Sequence, residues 1–163
     1  RGSPLMVQIL IWYFVLGTLI NDLLMQFEIE QLSAYWYGVF SLGFFAGAYV
    51  TEIVRAGIQS IHRGQTEAAL SIGMNSRQTM WYVILPQTMK RILPALAGQF
   101  INLIKDSALL GIIAICELTK ASREIVAYSL QSFEIYLTVA AMYLILTFIL
   151  SLFVQYLEKR LAV

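Results

Sequence analysis

Four apolar runs, each close to the length a helix needs to cross a bilayer, dominate this sequence. They are Leu5–Ile20 (reaching Met25 if Asn21 and Asp22 sit at the far membrane face), Tyr35–Val54, Ile92–Leu118 and Ile135–Val154. A helix rises about 1.5 Å per residue, so about 20 residues cross about 30 Å of hydrocarbon. The chain is 59% hydrophobic and 13% charged, whereas soluble domains carry about 25% charged residues. With a mean hydropathy of +0.71, it has too little polar surface for water. The expected fold is all-α, a polytopic transmembrane helical bundle.

Charge placement orients the spans. Residues 55–91 carry Arg55, Arg63, Arg77, Lys90 and Arg91 against one acid, Glu67. Such an excess marks a cytoplasmic loop. Glu28 and Glu30 then fall outside, and Lys159–Arg160 falls inside. The spans run alternately outward and inward, which makes a multi-pass protein with both basic ends in the cytoplasm. Tyr35, Trp36 and Tyr37 read as an interfacial aromatic anchor. Trp12, Tyr13 and Phe14 lie mid-run and read as packing or lipid-facing residues. The small residues of Gly43–Ala48 read as a helix-packing seam.

Several functions are excluded. A net charge of +1 gives no footing for nucleic acid. The single Cys116 cannot form an internal disulfide, and the lone His62 makes no metal site by itself. No GxxxxGK[ST] loop is present, so any ATP is bound by another chain. The chain opens at Arg1 without a cleavage site for a signal peptide, and is read as a piece of a longer protein.

The basic segment is written as short helices. Thr66 reads as an N-cap, Glu67 favours the positive helix end, and Ala68-Ala69-Leu70 are strong helix formers. Gly73 stands where a short helix would stop. A second stretch, Arg77–Ile84, is expected to end at Leu85-Pro86, because proline disfavours helix in the residue before it.

Glu67-Ala68-Ala69-x-x-x-Gly73, followed at the proper interval by Leu85-Pro86, resembles the EAA signature of permease subunits in bacterial ABC importers. Other segments resemble the polar amino-acid branch of that family. They are Arg1-Gly2-Ser3-Pro4-Leu5 with Val7-Gln8; Ala48-Tyr49-x-x-Glu52 with Arg55 and Gly57-Ile58; Arg63-Gly64-Gln65; Leu103-Ile104-Lys105-Asp106-Ser107; Arg123-Glu124-Ile125; and Phe133-Glu134-x-Tyr136. Val83, Ala56, His62 and Cys116 depart from the family's usual isoleucine, glycine, proline and proline. One further N-terminal helix is usual in the family and is not among the four spans of this sequence.

The resemblance implies a single permease domain over residues 1–163 of the type I importer kind, in a bacterial inner membrane, with an ATPase-coupling loop at 55–91. It implies that Glu67, Ala68, Ala69, Gly73, Leu85 and Pro86 form the coupling element. The implied partners are an ABC ATPase subunit, a second permease subunit (identical or a sister) and an extracytoplasmic solute-binding protein. No cofactor is implied for this chain, since ATP and magnesium would sit in the ATPase. The solute would be a polar amino acid, moved by alternating access.

Lys105 and Asp106 stand about a dozen residues into the third run. A charge at mid-bilayer costs about 2.5–3.5 kcal/mol on insertion scales, which makes such residues functional candidates. With Gln99, Asn102 and Ser107 they offer a zwitterion one cation, one anion, two amides and a hydroxyl. The bland alternative is a structural pair that locks a helix break. Glu52 and Arg55 are spaced for an i, i+3 pair. Glu117 and Glu134 bracket an outer polar segment with Lys120 and Arg123, a surface for the solute-binding protein or for solvent. Met80-Trp81-Tyr82 reads as helix packing. The rival function is an ion-coupled secondary transporter or channel, in which residues 67–86 have no task. A passive anchor would have no reason to carry Lys105 and Asp106, and no catalytic constellation supports an enzyme.

Overall fold

The computed structural model describes residues 2–161, with side chains described as far as Tyr156. Arg1, expected in the leading family segment, and the charges of Lys159 and Arg160, expected at the inner face, lie outside the described residues. All regular elements among the described residues are helical. We number them α1 (Leu5–Gln26), α2 (Ala34–Gln59), α3 (Arg63–Ser71), α4 (Ser76–Ile113), α5 (Leu118–Ser129) and α6 (Ser132–Leu161). Four of them, α1, α2, α4 and α6, are long and apolar enough to span a membrane.

The most extensive pairing is α2 against α4. It rests on Gly57, where an added Cβ would run into the Ile92 side chain and come within 3.0 Å of Thr88 Cγ2. Ile92 and Thr88 are buried there. Dispersion contacts of this closeness replace the hydrophobic driving force that lipid does not supply between helices. A small apolar core forms where Leu5 and Ile9 meet Leu110 and Ile113. This sets the start of α1 against the last turns of α4, so α1 is offset lengthwise along the bundle.

The α1–α2 connection is closed by Asn21. Its Oδ1 accepts from the Leu32 N–H at 3.0 Å and from the Tyr37 hydroxyl at 2.9 Å, while its Nδ2 donates to the Leu32 carbonyl at 3.3 Å. Tyr37 is therefore buried, and only Tyr35 and Trp36 of the expected aromatic anchor are exposed. Trp12 stacks on Phe40 and tilts against Phe44, joining the two spans.

The expected stop at Leu85-Pro86 does not occur. α4 runs through it because residues Met80–Ile84 form a π turn, and the Leu85 N–H reaches back to the Met80 carbonyl. The wider turn makes room for a ring that would strike the preceding carbonyl of a regular helix. Pro86 then stands at the start of the regular α-helix Leu85–Asp106, which also contains Pro94. Residues 55–91 are thus almost wholly helical: the end of α2, all of α3 and the start of α4.

The chain covers little of itself. Its accessible surface is 11380 Å², against about 8,200 Å² for a compact monomer of this mass. None of the most apolar stretch of α6 is buried. Gly43 and Gly47, expected in a packing seam, face open space within this chain.

Candidate functional site

Two features carry the functional interest, and α4 connects them. The first is α3 and its exit. His62, rather than Thr66, caps this helix: His62 is extended, and its Nδ1 accepts from the Gly64 N–H at 3.1 Å. The helix begins four residues earlier than Thr66 would allow because a ring nitrogen serves as the cap acceptor. At the other end the Gly73 N–H bonds the Leu70 carbonyl at 3.0 Å, and the Met74 N–H bonds the Ala69 carbonyl at 3.2 Å. With Gly73 at φ +86°, this is a Schellman motif, whose reversal requires the left-handed conformation that glycine adopts without penalty.

The chain re-enters helix at once. Asn75 caps α4 by accepting from the Gln78 N–H at 2.9 Å, and the Gln78 side chain accepts from the Asn75 N–H at 2.9 Å. This reciprocal capping box satisfies two otherwise orphaned donors. The turn between α3 and α4 is therefore fixed by backbone bonds on one side and by side-chain caps on the other.

α3 lies against the π turn of α4. Gln87 Nε2 donates to Gln65 Oε1 at 3.2 Å and to the Val83 carbonyl at 2.9 Å. Arg91 Nη1 donates to the Ser60 carbonyl at 2.6 Å, tying α4 to the end of α2. Of the residues proposed for coupling, Ala69 is buried toward the body. Glu67, Ala68 and Gly73 are exposed. Leu85 and Pro86 belong to α4. Leu70, read from the sequence only as a helix former, and Ile72, which the sequence did not single out, are exposed apolar residues on the same unit. Trp81 and Tyr82 are also exposed, at 64% and 74%, and do not pack into the chain as expected.

The second feature is a recess of about 460 Å³ between α2 and α4, lined by Phe45, Tyr49, Gln99, Asn102, Lys105 and Asp106. Positions 99, 102, 105 and 106 share one helical face because three- and four-residue steps return to it. Four of the five residues proposed for a solute path meet there. Ser107 does not line the recess, and its hydroxyl donates to the Ile104 carbonyl at 2.7 Å. Phe45 and Tyr49 were not singled out for the recess, since their i, i+4 spacing on an apolar run carries no signal of what they face. Directly after Asp106 the helix tightens into a 3-10 segment, Ser107–Ile113, that ends at Ala114 in the left-handed region. The charged pair thus marks a change of helix type and not a break.

Beyond it, Glu117 caps α5 by accepting from the N–H groups of Thr119 and Lys120 at 2.7 and 2.6 Å. Lys120 donates to the Ala114 carbonyl at 2.9 Å and lies 3.5 Å from Glu124. The polar outer segment is therefore a helix anchored to the end of α4. No cluster of three or more metal-ligating side chains is present among the described residues.

Comparison with known proteins gives a consistent answer. The profile of the family described as "Binding-protein-dependent transport system inner membrane component" matches residues 1–163. The chain is 39% identical over 163 residues to the glutamine transport system permease protein GlnP of Escherichia coli (strain K12), covering 100% of this chain and 71% of that one. It is 40% identical over 162 residues to the L-cystine transport system permease protein TcyB of Bacillus subtilis (strain 168), covering 99% and 65%. Among solved structures, the crystal structure of an amino acid ABC transporter with histidines superposes with a TM-score of 0.82 at 41% identity, covering 98% of this chain and 71% of that one. With its helical spans and a family profile matched from end to end, this chain belongs to the inner-membrane permease components of binding-protein-dependent transport systems.

Proposed function

We propose that this chain is the translocating subunit of an ATP-driven importer of a polar amino acid, coupled to a separate ATPase through α3. The observation that carries the reading is that α4 holds both working features. Its first turns cradle α3 through Gln87–Gln65, and its later turns carry Gln99, Asn102, Lys105 and Asp106 into the recess. A displacement of α3 by a docked ATPase has a continuous helical route to the solute.

In this reading Glu67, Ala68 and Gly73 face the ATPase, and Ala69 seats α3 on α4. Leu85 and Pro86 follow the π turn that lets α4 continue past them. Lys105 and Asp106 answer the two charges of a zwitterion, and Asn102 and Gln99 supply neutral hydrogen-bonding groups. ATP and magnesium belong to the ATPase, a second permease copy or sister completes the pathway, and a solute-binding protein delivers the amino acid at the outer face. Alternating access follows from rigid-body rocking between two packings.

Affinity purification of the intact permease from its own membranes tests this. A co-purifying ATPase that is lost when Glu67–Gly73 is scrambled is the expected result. A permease that purifies without any ATPase and still moves solute in liposomes would make it a secondary transporter instead.

A further inference from the structure

The hairpin that joins α5 to α6 presents an unusual tip. Tyr128, Leu130 and Phe133 are 91%, 85% and 77% exposed, and Ile125 one turn earlier is half exposed. Residues 125–133 contain no charged side chain. Leu130 is held at φ 58°, in the left-handed region, and its side chain points outward from there.

Depth along α6 locates this tip. The uninterrupted apolar stretch Ile135–Val154 measures about 30 Å at 1.5 Å per residue, the thickness of the hydrocarbon layer. Glu134, just ahead of it, therefore marks the hydrocarbon edge, and Phe133 stands immediately above. α5 lies back alongside the first turns of α6, since Thr119 Oγ1 is 3.4 Å from the Tyr143 hydroxyl. α5 thus climbs through the outer part of the bundle and delivers Tyr128 and Leu130 to that edge.

The charges of α5 lie before the tip. Glu117 and Arg123 reach the position a Cβ would take on Gly111 of α4, while Lys120 and the exposed Glu124 lie 3.5 Å apart and offset each other one turn ahead of Tyr128.

We propose that the α5–α6 tip is a bilayer anchor. Tyr128, Leu130 and Phe133 enter the headgroup–acyl boundary of the leaflet opposite α3 and fix the depth of α5. Aromatic side chains with one polar end favour this boundary. The tip is continuous with the exposed apolar residues of α6, such as Leu137, Leu144 and Phe148, for which lipid is the natural solvent. A partner that docks and leaves would return this tip to water in each cycle, whereas lipid covers it throughout. With no cation among residues 125–133 and the exposed Glu134 beside Phe133, nothing at the tip selects anionic headgroups.

The test uses the full permease in nanodiscs and does not depend on an ATPase, so it stands apart from the importer reading. Trp12, Trp36 and Trp81 are replaced by Phe, and Tyr128→Trp supplies the sole tryptophan, excited at wavelengths the remaining tyrosines do not absorb. Phosphatidylcholine brominated near the headgroup end of its acyl chains should remove most of the emission, and anionic lipid should not change this. Chain-end bromines should quench less. Emission untouched by brominated lipid but quenched by iodide would overturn the proposal in favour of a surface for a soluble protein. Emission untouched by both would overturn it in favour of burial against a second membrane chain. Phe133→Trp in the same background gives an independent reading, with the same outcomes, should the Tyr128 variant fail to fold.

Discussion

Arg91 on α4 donates a 2.6 Å hydrogen bond to the carbonyl of Ser60, the residue that closes α2, and reaches the Ser60 hydroxyl at 3.3 Å. A cation at this place meets both an unpaired carbonyl and the negative end of the α2 dipole. Arg91→Met should lower stability by about 1 kcal/mol, less than a charge-assisted bond contributes when buried, because Arg91 is exposed. Arg91→Lys should lose less. Thermal unfolding of the two variants in the same detergent is the check; equal midpoints for both and the parent would remove this tie from the account.

The contact at Gly57 predicts a sharper effect. Gly57→Ala drives a methyl group into Ile92, and overpacking of this kind costs about 1–3 kcal/mol. Ile92→Ala in the same chain should restore part of the loss, since it removes the atom that clashes. A double-mutant cycle measures the coupling, and strict additivity would show that the two side chains do not meet.

Gly73 is the residue on which the exit of α3 depends. A β-carbon in the left-handed region costs about 1–2 kcal/mol, while asparagine visits it more readily. Uptake should fall steeply with Gly73→Leu and mildly with Gly73→Asn. Normal uptake by the leucine variant would speak against α3 as the coupling element.

At the recess, Lys105→Met and Asp106→Asn should each impair uptake while the ATPase still co-purifies. Ser107→Ala should transport nearly as the parent does, because its hydroxyl is spent on the Ile104 carbonyl. Unchanged uptake in both charge variants would leave Lys105 and Asp106 as structural residues.

Much of this architecture is written in local chemistry. The spans are legible because length and apolarity alone define them, and Gly73 because a left-handed turn has few alternatives. What the sequence hides are choices made by packing. Tyr37 looks like its neighbours Tyr35 and Trp36 until Asn21 claims its hydroxyl. Pro86 reads as a stop until the π turn ahead of it makes room. Thr66 is the better cap by residue type, yet His62 holds the extended conformation from which a cap acts. The face that Phe45 and Tyr49 turn to the recess depends on the register of α2 against α4, which no single run of residues encodes.

The continuity of α4 has a mechanical meaning. If the crowded contact at Gly57 and Ile92 acts as a fulcrum, the arm to the middle of the π turn that meets α3 is about 15 Å long, and the arm to Lys105 about 20 Å. A lever with arms in this ratio has a gain a little above one and reverses direction. A push on α3 toward the molecular axis would then swing the Lys105 end of α4 away from that axis by a similar distance, so that narrowing one mouth of the pathway and widening the other become a single movement of one rod.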